Sequence, residues 1–220
     1  METLVEKIVR SPRLPQYLEQ IQAFWKQEEA RRKQFYQDIV EDKKMEFING
    51  EVYFQSPVKL RHNEAGKLLL KLLDTYVNAN DLGFVGYEKM LISLSRNDYE
   101  PDLCFWRTEI ASAFRPEQMQ FPAPDLVVEI LSESTEKIDR GIKFEDYAEH
   151  QVTEYWIIDP EKQVLEQYVL EEGTYALKHK ARNQEIIFCQ VLPGFDIPAR
   201  AVFDKDENVK VLRQLLIGAK

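Results

Sequence analysis

The run Leu126 to Leu131, within PDLVVEIL, is apolar at every position but one. A strand that faces solvent on one side alternates apolar and polar residues, so a continuous apolar run reads as a central strand covered on both faces. Glu129 then brings a carboxylate where an uncompensated charge is expensive. A buried ion pair or a metal ion are the two ordinary explanations.

The surroundings of this run predict the rest of the sheet. Gly83 to Tyr87, Met90 to Leu94 and Leu103 to Trp106 are short strand-like runs ahead of it, and TEYWIID, ended by Pro160, is the next strand behind it. EFINGEVYF sets Asn49-Gly50 between two apolar-rich runs, the composition of a tight hairpin whose central residues take positive φ. Val164 to Leu170 and Thr174 to Lys178 flank Glu171-Glu172-Gly173 as a second hairpin, Ile186 to Cys189 is a further strand, and LPGF turns toward a terminal helix. Helices are expected from His62 to about Asn78, where Ala65, Leu68, Leu69, Leu72, Leu73 and Tyr76 recur with helical period, and from Glu136 to His150. The span from about Gln16 to Lys44 carries Leu18, Ile21 and Trp25 at steps of three and four, then Phe35 and Ile39, and reads as a charged helix with one apolar stripe. The economical fold is α/β, a mixed sheet with helices on its faces and additional hairpins.

Composition narrows the class. With 44% hydrophobic and 30% charged residues the chain is expected to fold. It has no apolar run long enough for a signal peptide or a membrane span, which predicts a cytoplasmic protein without membrane contact. Cys104 and Cys189 lack zinc or redox spacing and read as buried thiols. A formal charge of −9 argues against strong non-specific attraction to phosphate backbones. No Walker-type glycine loop, Ser/His/Asp order or zinc-ligand cluster is present.

Asp102 follows Pro101 at the head of the strand DLCFW, and if that strand neighbours the one carrying Glu129 the two carboxylates converge at one end of the sheet. Magnesium takes oxygen ligands, few of them carboxylates, and Asp102, Glu129 and the backbone carbonyl of Ile130 make such a set. Asp102 also reads as an ordinary turn residue after proline. Asp139, Lys143 and Tyr147 recur at steps of four and share a helix face. Lys143 there can steady charge developing on a phosphoryl group, or simply pair with Asp139. Glu46 and Glu88 are further candidate ligands read as solvated groups, and His62 is a candidate phosphate contact read as a capping or surface histidine.

The ordered segments EFINGEV, the Ser56-Pro57 step with His62 after it, EPDLCFW, PDLVVEILSEST, DRGIKFEDYAEH, EYWIIDP and LPGF resemble the restriction-endonuclease family catalogued as a domain of unknown function, a branch of the PD-(D/E)XK superfamily. The resemblance runs from about residue 34 to 204 and implies a helical extension over 1–33, a restriction-endonuclease-like domain over 34–204 and a helical tail over 205–220. It implies catalytic roles for Asp102 and Glu129, magnesium dependence with manganese as a substitute, and DNA as substrate. One position departs: the superfamily lysine two residues after the acidic residue is Leu131 here, so the role would pass to Lys143. A nuclease-fold module that only binds nucleic acid or protein is the alternative. The apolar stripe on the N-terminal helix predicts a homodimer.

Overall fold

A computed structural model describes residues 3–39 and 43–218, in two compact units, Met1–Gln55 and Ser56–Lys220. The first unit opens with the short helix α1 (Leu4–Val9), started by a capping box in which Thr3 and Glu6 satisfy each other's backbone N–H groups. Helix α2 (Leu14–Asp38) follows, with Pro15 in its first turn, where its missing N–H is harmless. It ends where Ile39 turns extended. It is shorter than the span expected to Lys44, of which residues 40–42 lie outside those described. Strands β1 (Met45–Ile48) and β2 (Glu51–Phe54) form the expected hairpin. Asn49 and Gly50 take φ of 50° and 85°, as a two-residue hairpin turn of this hand requires. Phe35 stacks at a tilt on Phe47 at 5.7 Å, and Glu28 is buried within an otherwise solvated charged stretch.

The second unit begins with α3 (Leu60–Ala79), whose apolar face is the one read from its periodicity. Strands β3 (Gly83–Tyr87), β4 (Leu91–Ser93), β5 (Asp98–Tyr99) and β6 (Leu103–Arg107) follow, then the single turn α4 (Thr108–Ala111), β7 (Gln120–Phe121) and β8 (Leu126–Ile130). The expected helix from Glu136 to His150 is two pieces, α5 (Glu136–Asp139) and α6 (Ile142–Glu149). The break falls at Gly141, with φ −114° and ψ −105°, where a β-carbon would stand 2.7 Å from the Lys137 carbonyl oxygen. After it come β9 (Glu154–Asp159), β10 (Val164–Glu171), β11 (Thr174–Ala181), β12 (Ile186–Phe188), β13 (Asp196–Pro198), a 3-10 turn over Ala199–Val202, and α7 (Lys205–Gly218).

Six of these strands make a mixed sheet in the order β11-β10-β9-β8-β6-β3, with β8 and β9 parallel and the other pairs antiparallel. The parallel pair needs a crossover, and α5 with α6 supplies it. One sheet face carries Leu103, Phe105, Leu126, Val128, Ile130, Trp156 and Ile158, which join the apolar face of α3 and residues of α7 in the main core. Glu154, fully buried in β9, accepts from the Trp156 indole, Gln167 and the Gln190 and Val191 amides. It thereby ties the LPGF turn region to the sheet. Both cysteines are free and buried, as read from sequence.

Candidate functional site

β8 lies between β6 and β9, and side chains alternate along it. Leu126, Val128 and Ile130 enter the main core, so Val127 and Glu129 face the opposite side. That side is covered by α6, whose Tyr147 packs on Tyr155 of β9 with ring centroids 5.6 Å apart. From the same helix Lys143 reaches Glu129, with Nζ donating to Oε1 at 3.0 Å. Its ammonium is also 3.3 Å from Asp139 Oδ1 and 5.7 Å from the centre of the Tyr99 ring. Lys143 is 1% exposed and Glu129 3%. The lysine is thus wholly buried, and it pairs with Asp139, one of the two readings its helical spacing allowed, and with Glu129 as well. The pairing with Asp139 survives the helix break because the chain re-enters helix at Ile142.

Asp102 sits immediately before β6, antiparallel to β8. The register pairs Leu103 with Val128, and one step further sets Asp102 opposite Glu129, as expected if the strands are neighbours. Asp102 Oδ2 accepts the Ile130 amide at 2.8 Å and lies 3.3 Å from His62 Nε2. His62 is therefore a buried residue of the first turn of α3 that holds a carboxylate, in contrast to the capping or surface histidine expected. Glu88 is half-buried in the turn after β3, and its amide donates to the Asp102 carbonyl at 3.1 Å. Glu46 belongs to the first unit and is buried in β1, where a solvated group was expected. Among the described residues no three or more His, Cys, Asp or Glu side chains are grouped so as to hold a metal ion. A cation at this strand end would have Asp102, Glu129 and backbone oxygen within its reach, a set of the kind magnesium takes, since that ion keeps several waters and uses one or two carboxylates. The set does not suit zinc.

Residues that the sequence did not single out fix α6 in place. Asp146 Oδ2 accepts from Tyr99 Oη and Asn97 Nδ2, each at 2.7 Å. His150 Nδ1 stands 3.1 Å from Asp146 Oδ1, while its Nε2 accepts the Ser95 amide at 3.0 Å. These bonds join α6 to the β4–β5 turn. Tyr155 Oη donates to the Asp139 carbonyl at 2.9 Å. Its pKa is pushed well up by burial, and further by the negative charges of Glu129 and Asp139. Polar residues in a short turn carry no periodic signal, so only the three-dimensional pairing reveals them.

The C-terminal ends of β8 and β9 form the edge at which ligands of α/β sheets usually bind. The start of α3 meets this edge: Lys59 pairs with Glu133 at 2.5 Å just beyond β8, and Arg61 with Glu161 at 2.8 Å just beyond β9. Both cations are solvent-exposed.

Comparison with known proteins gives a consistent placement. Residues 32–200 match the model of the Uma2 family, described as "Putative restriction endonuclease". The crystal structure of a "putative nuclease" from Anabaena variabilis superposes with a TM-score of 0.63 at 15% identity, covering 81% of this chain and 96% of that one. At such identity the likeness concerns the fold, which is the mixed nuclease-like architecture expected from sequence. No curated protein matches the chain.

Proposed function

Because the chain belongs to the Uma2 family of restriction-endonuclease relatives, matched over residues 32–200, we propose that it is a magnesium-dependent endonuclease that hydrolyses phosphodiester bonds of DNA. What supports this reading most is the buried Lys143–Glu129 pair, Nζ 3.0 Å from Oε1, at the strand end where Asp102 lies one step beyond the Leu103–Val128 pair of the register. Asp102, Glu129 and the Ile130 carbonyl would hold the ion, which when bound polarises a phosphoryl oxygen and acidifies water.

The protein groups have separate tasks. The Ile130 amide and His62 fix one oxygen of Asp102, so the carboxylate is oriented before substrate arrives. Lys143 holds Glu129 and places a positive charge beside the position where the attacked phosphate gains negative charge. It takes the role of the lysine that Leu131 displaces. Lys59 and Arg61 are the groups for flanking phosphates. Their present partners are surface carboxylates in pairs weakened by solvent screening, so phosphate can replace them. The reading places the enzyme in the cytoplasm with its DNA, and no described helix is long and apolar enough to cross a membrane.

The test uses purified protein with single-stranded, double-stranded and supercoiled DNA, and magnesium or manganese. Cleavage is expected to depend on the metal and to fall at least about a hundredfold in Asp102→Asn and Glu129→Gln. Magnesium should also raise the unfolding temperature of the wild type and of neither variant, since a ligand bound only by the native state stabilises it. Absence of cleavage together with an intact magnesium effect would transfer the assignment to a binding module, the reading favoured by Leu131 and the acidic surface. Equal magnesium stabilisation of all three proteins would remove the site.

A further inference from the structure

The C-terminal end of α6 brings together three side chains that the chemistry above leaves unused. His150, the residue that ends this helix, stands against the β4–β5 turn, where its Nε2 lies 2.9 Å from Ser95 Oγ and accepts the Ser95 amide at 3.0 Å. An amide N–H can donate only to a lone pair, so Nε2 is unprotonated and the ring proton sits on Nδ1. That proton faces Asp146, one turn earlier in α6, with the carbonyl oxygen at 2.8 Å and Oδ1 at 3.1 Å. The other carboxylate oxygen, Oδ2, accepts from Tyr99 Oη and Asn97 Nδ2, each at 2.7 Å, so the carboxylate is held on both sides.

Hydroxyl, imidazole and carboxylate in hydrogen-bonded series, with the imidazole in the tautomer that turns its lone pair to the hydroxyl, are the parts of an activated serine nucleophile. They are recognised by geometry and role, whatever the fold. A histidine that only secured the turn would need the Ser95 amide and no anchored carboxylate behind its ring. Exposure is graded as the chemistry requires: Ser95 is open to solvent, whereas the His150 and Asp146 side chains are 19% and 11% exposed. No Ser/His/Asp order is legible in the sequence, because Ser95 lies in a turn without the G-x-S-x-G pattern and its partners come from a helix remote in the chain.

We propose that Ser95, His150 and Asp146 are a second reactive centre, which takes the acyl group of a small uncharged carboxylic ester onto Ser95 Oγ and gives it up to water. Oγ attacks the carbonyl carbon while its proton passes to Nε2. The bond from that carbon to the alcohol oxygen then breaks, and the alcohol leaves with the proton from Nε2. Water attacks the acyl-serine and gives a proton to Nε2, and the acid leaves as Oγ takes that proton back. Asp146 is a positioning residue, which holds the ring and stabilises the imidazolium formed at each attack. The Ser95 amide loses its acceptor when Nε2 is protonated and is then the donor next to the new oxyanion, the part that the nucleophile's own amide plays in serine proteases. Charge selects a neutral ester over a phosphoryl group: Asp98 and Glu100 follow closely on Ser95, Glu149 adjoins His150, and Arg96 is the one cation of residues 95–100.

The test is the full chain with p-nitrophenyl acetate, which needs neither metal nor DNA, so its outcome is separate from that of the nuclease reading. Turnover to p-nitrophenol is expected, and mass spectrometry of the quenched protein should place one acetyl group on Ser95, the covalent intermediate of this chemistry. Ser95→Ala should abolish the acetylation, and His150→Gln should slow turnover by at least about a hundredfold, the scale of general base catalysis. Ser95→Ala keeps the amide that donates to Nε2, so its unfolding temperature should match the wild type and the loss there is chemical. Asp146→Asn should lower kcat with KM unchanged, because Asp146 acts through the ring and touches no part of the ester. Acetyl groups on lysine or tyrosine in place of Ser95, equal turnover by Ser95→Ala, or a wild type that neither turns over the ester nor becomes acetylated would each overturn the proposal.

Discussion

Glu129 is a charge inside a strand whose other residues are all apolar, and Lys143 is what makes it tolerable. Sequence periodicity put Lys143 on the same face as Asp139, and the apolar run made Glu129 conspicuous. Neither could reveal that Lys143 would be 1% exposed, because burial is decided by α6 lying flat on the sheet. The burial changes what a substitution does. Removing one member of a buried ion pair leaves the others without compensation and typically costs about 3–5 kcal/mol. Lys143→Ala should therefore lower stability by that order, well beyond the effect of losing a surface pair, and loss of cleavage in that variant alone would not identify a catalytic role. Lys143→Met combined with Glu129→Gln removes both charges and should recover a large part of the loss in urea unfolding. A double variant as unstable as Lys143→Ala would mean that Asp139, 3.3 Å from the same ammonium, carries the penalty.

At the scale of elements, the hairpin at Asn49-Gly50, helix α3 and every strand of the six-stranded sheet were legible, because each has a strong period or an unmistakable turn pair. The two-residue strands β5 and β7 were not, since two residues have no period. The interruption between α5 and α6 was hidden for a different reason. Ile138 and Ile142 keep helical spacing across it, and an isolated glycine inside a helical pattern is weak evidence for a break. The structure shows why the residue is glycine: a β-carbon at position 141 would approach the Lys137 carbonyl oxygen to 2.7 Å, closer than real contacts allow. Gly141→Ala should accordingly destabilise by about 1–3 kcal/mol, the usual cost of forcing extra atoms into a packed space. It should also shift α6 and with it the Lys143 ammonium. The check is a melting curve together with magnesium-dependent cleavage. If alanine is accepted without loss of stability, the break is not set by glycine.

At the scale of the whole molecule, the charged groups with resolved shifts predict how stability depends on pH. Burial by itself would raise Glu166, but hydrogen bonds from Arg140 at 2.6 Å and from Lys180 at 2.8 Å outweigh it and hold the carboxyl below its ordinary 4.5. Asp159 is likewise held below 3.8, Lys162 overcoming the effect of burial. A carboxyl depressed in the folded state contributes stability that is complete above its unfolded value and is lost as pH falls through the folded one, because the unfolded chain binds the proton first. On the alkaline side the sign reverses. Burial, reinforced by Glu154, lifts the Cys189 thiol well above 9.0, and burial with Glu129 and Asp139 lifts the Tyr155 phenol well above 10.0. Their contributions are complete below the unfolded values and decline as pH rises past 9.0 and then 10.0 toward the folded ones. The unfolding temperature should thus be level from about pH 5 to 9 and fall on both sides. Glu166→Gln should lower the plateau, since Arg140 and Lys180 lose their shared anion, and should make the acid limb shallower. Cys189→Ala should leave the acid limb alone and delay the alkaline fall to the tyrosine range. An acid limb of unchanged slope in Glu166→Gln would show that other carboxylates carry the acid response. An alkaline limb unmoved by Cys189→Ala would show that the thiol is not what begins it.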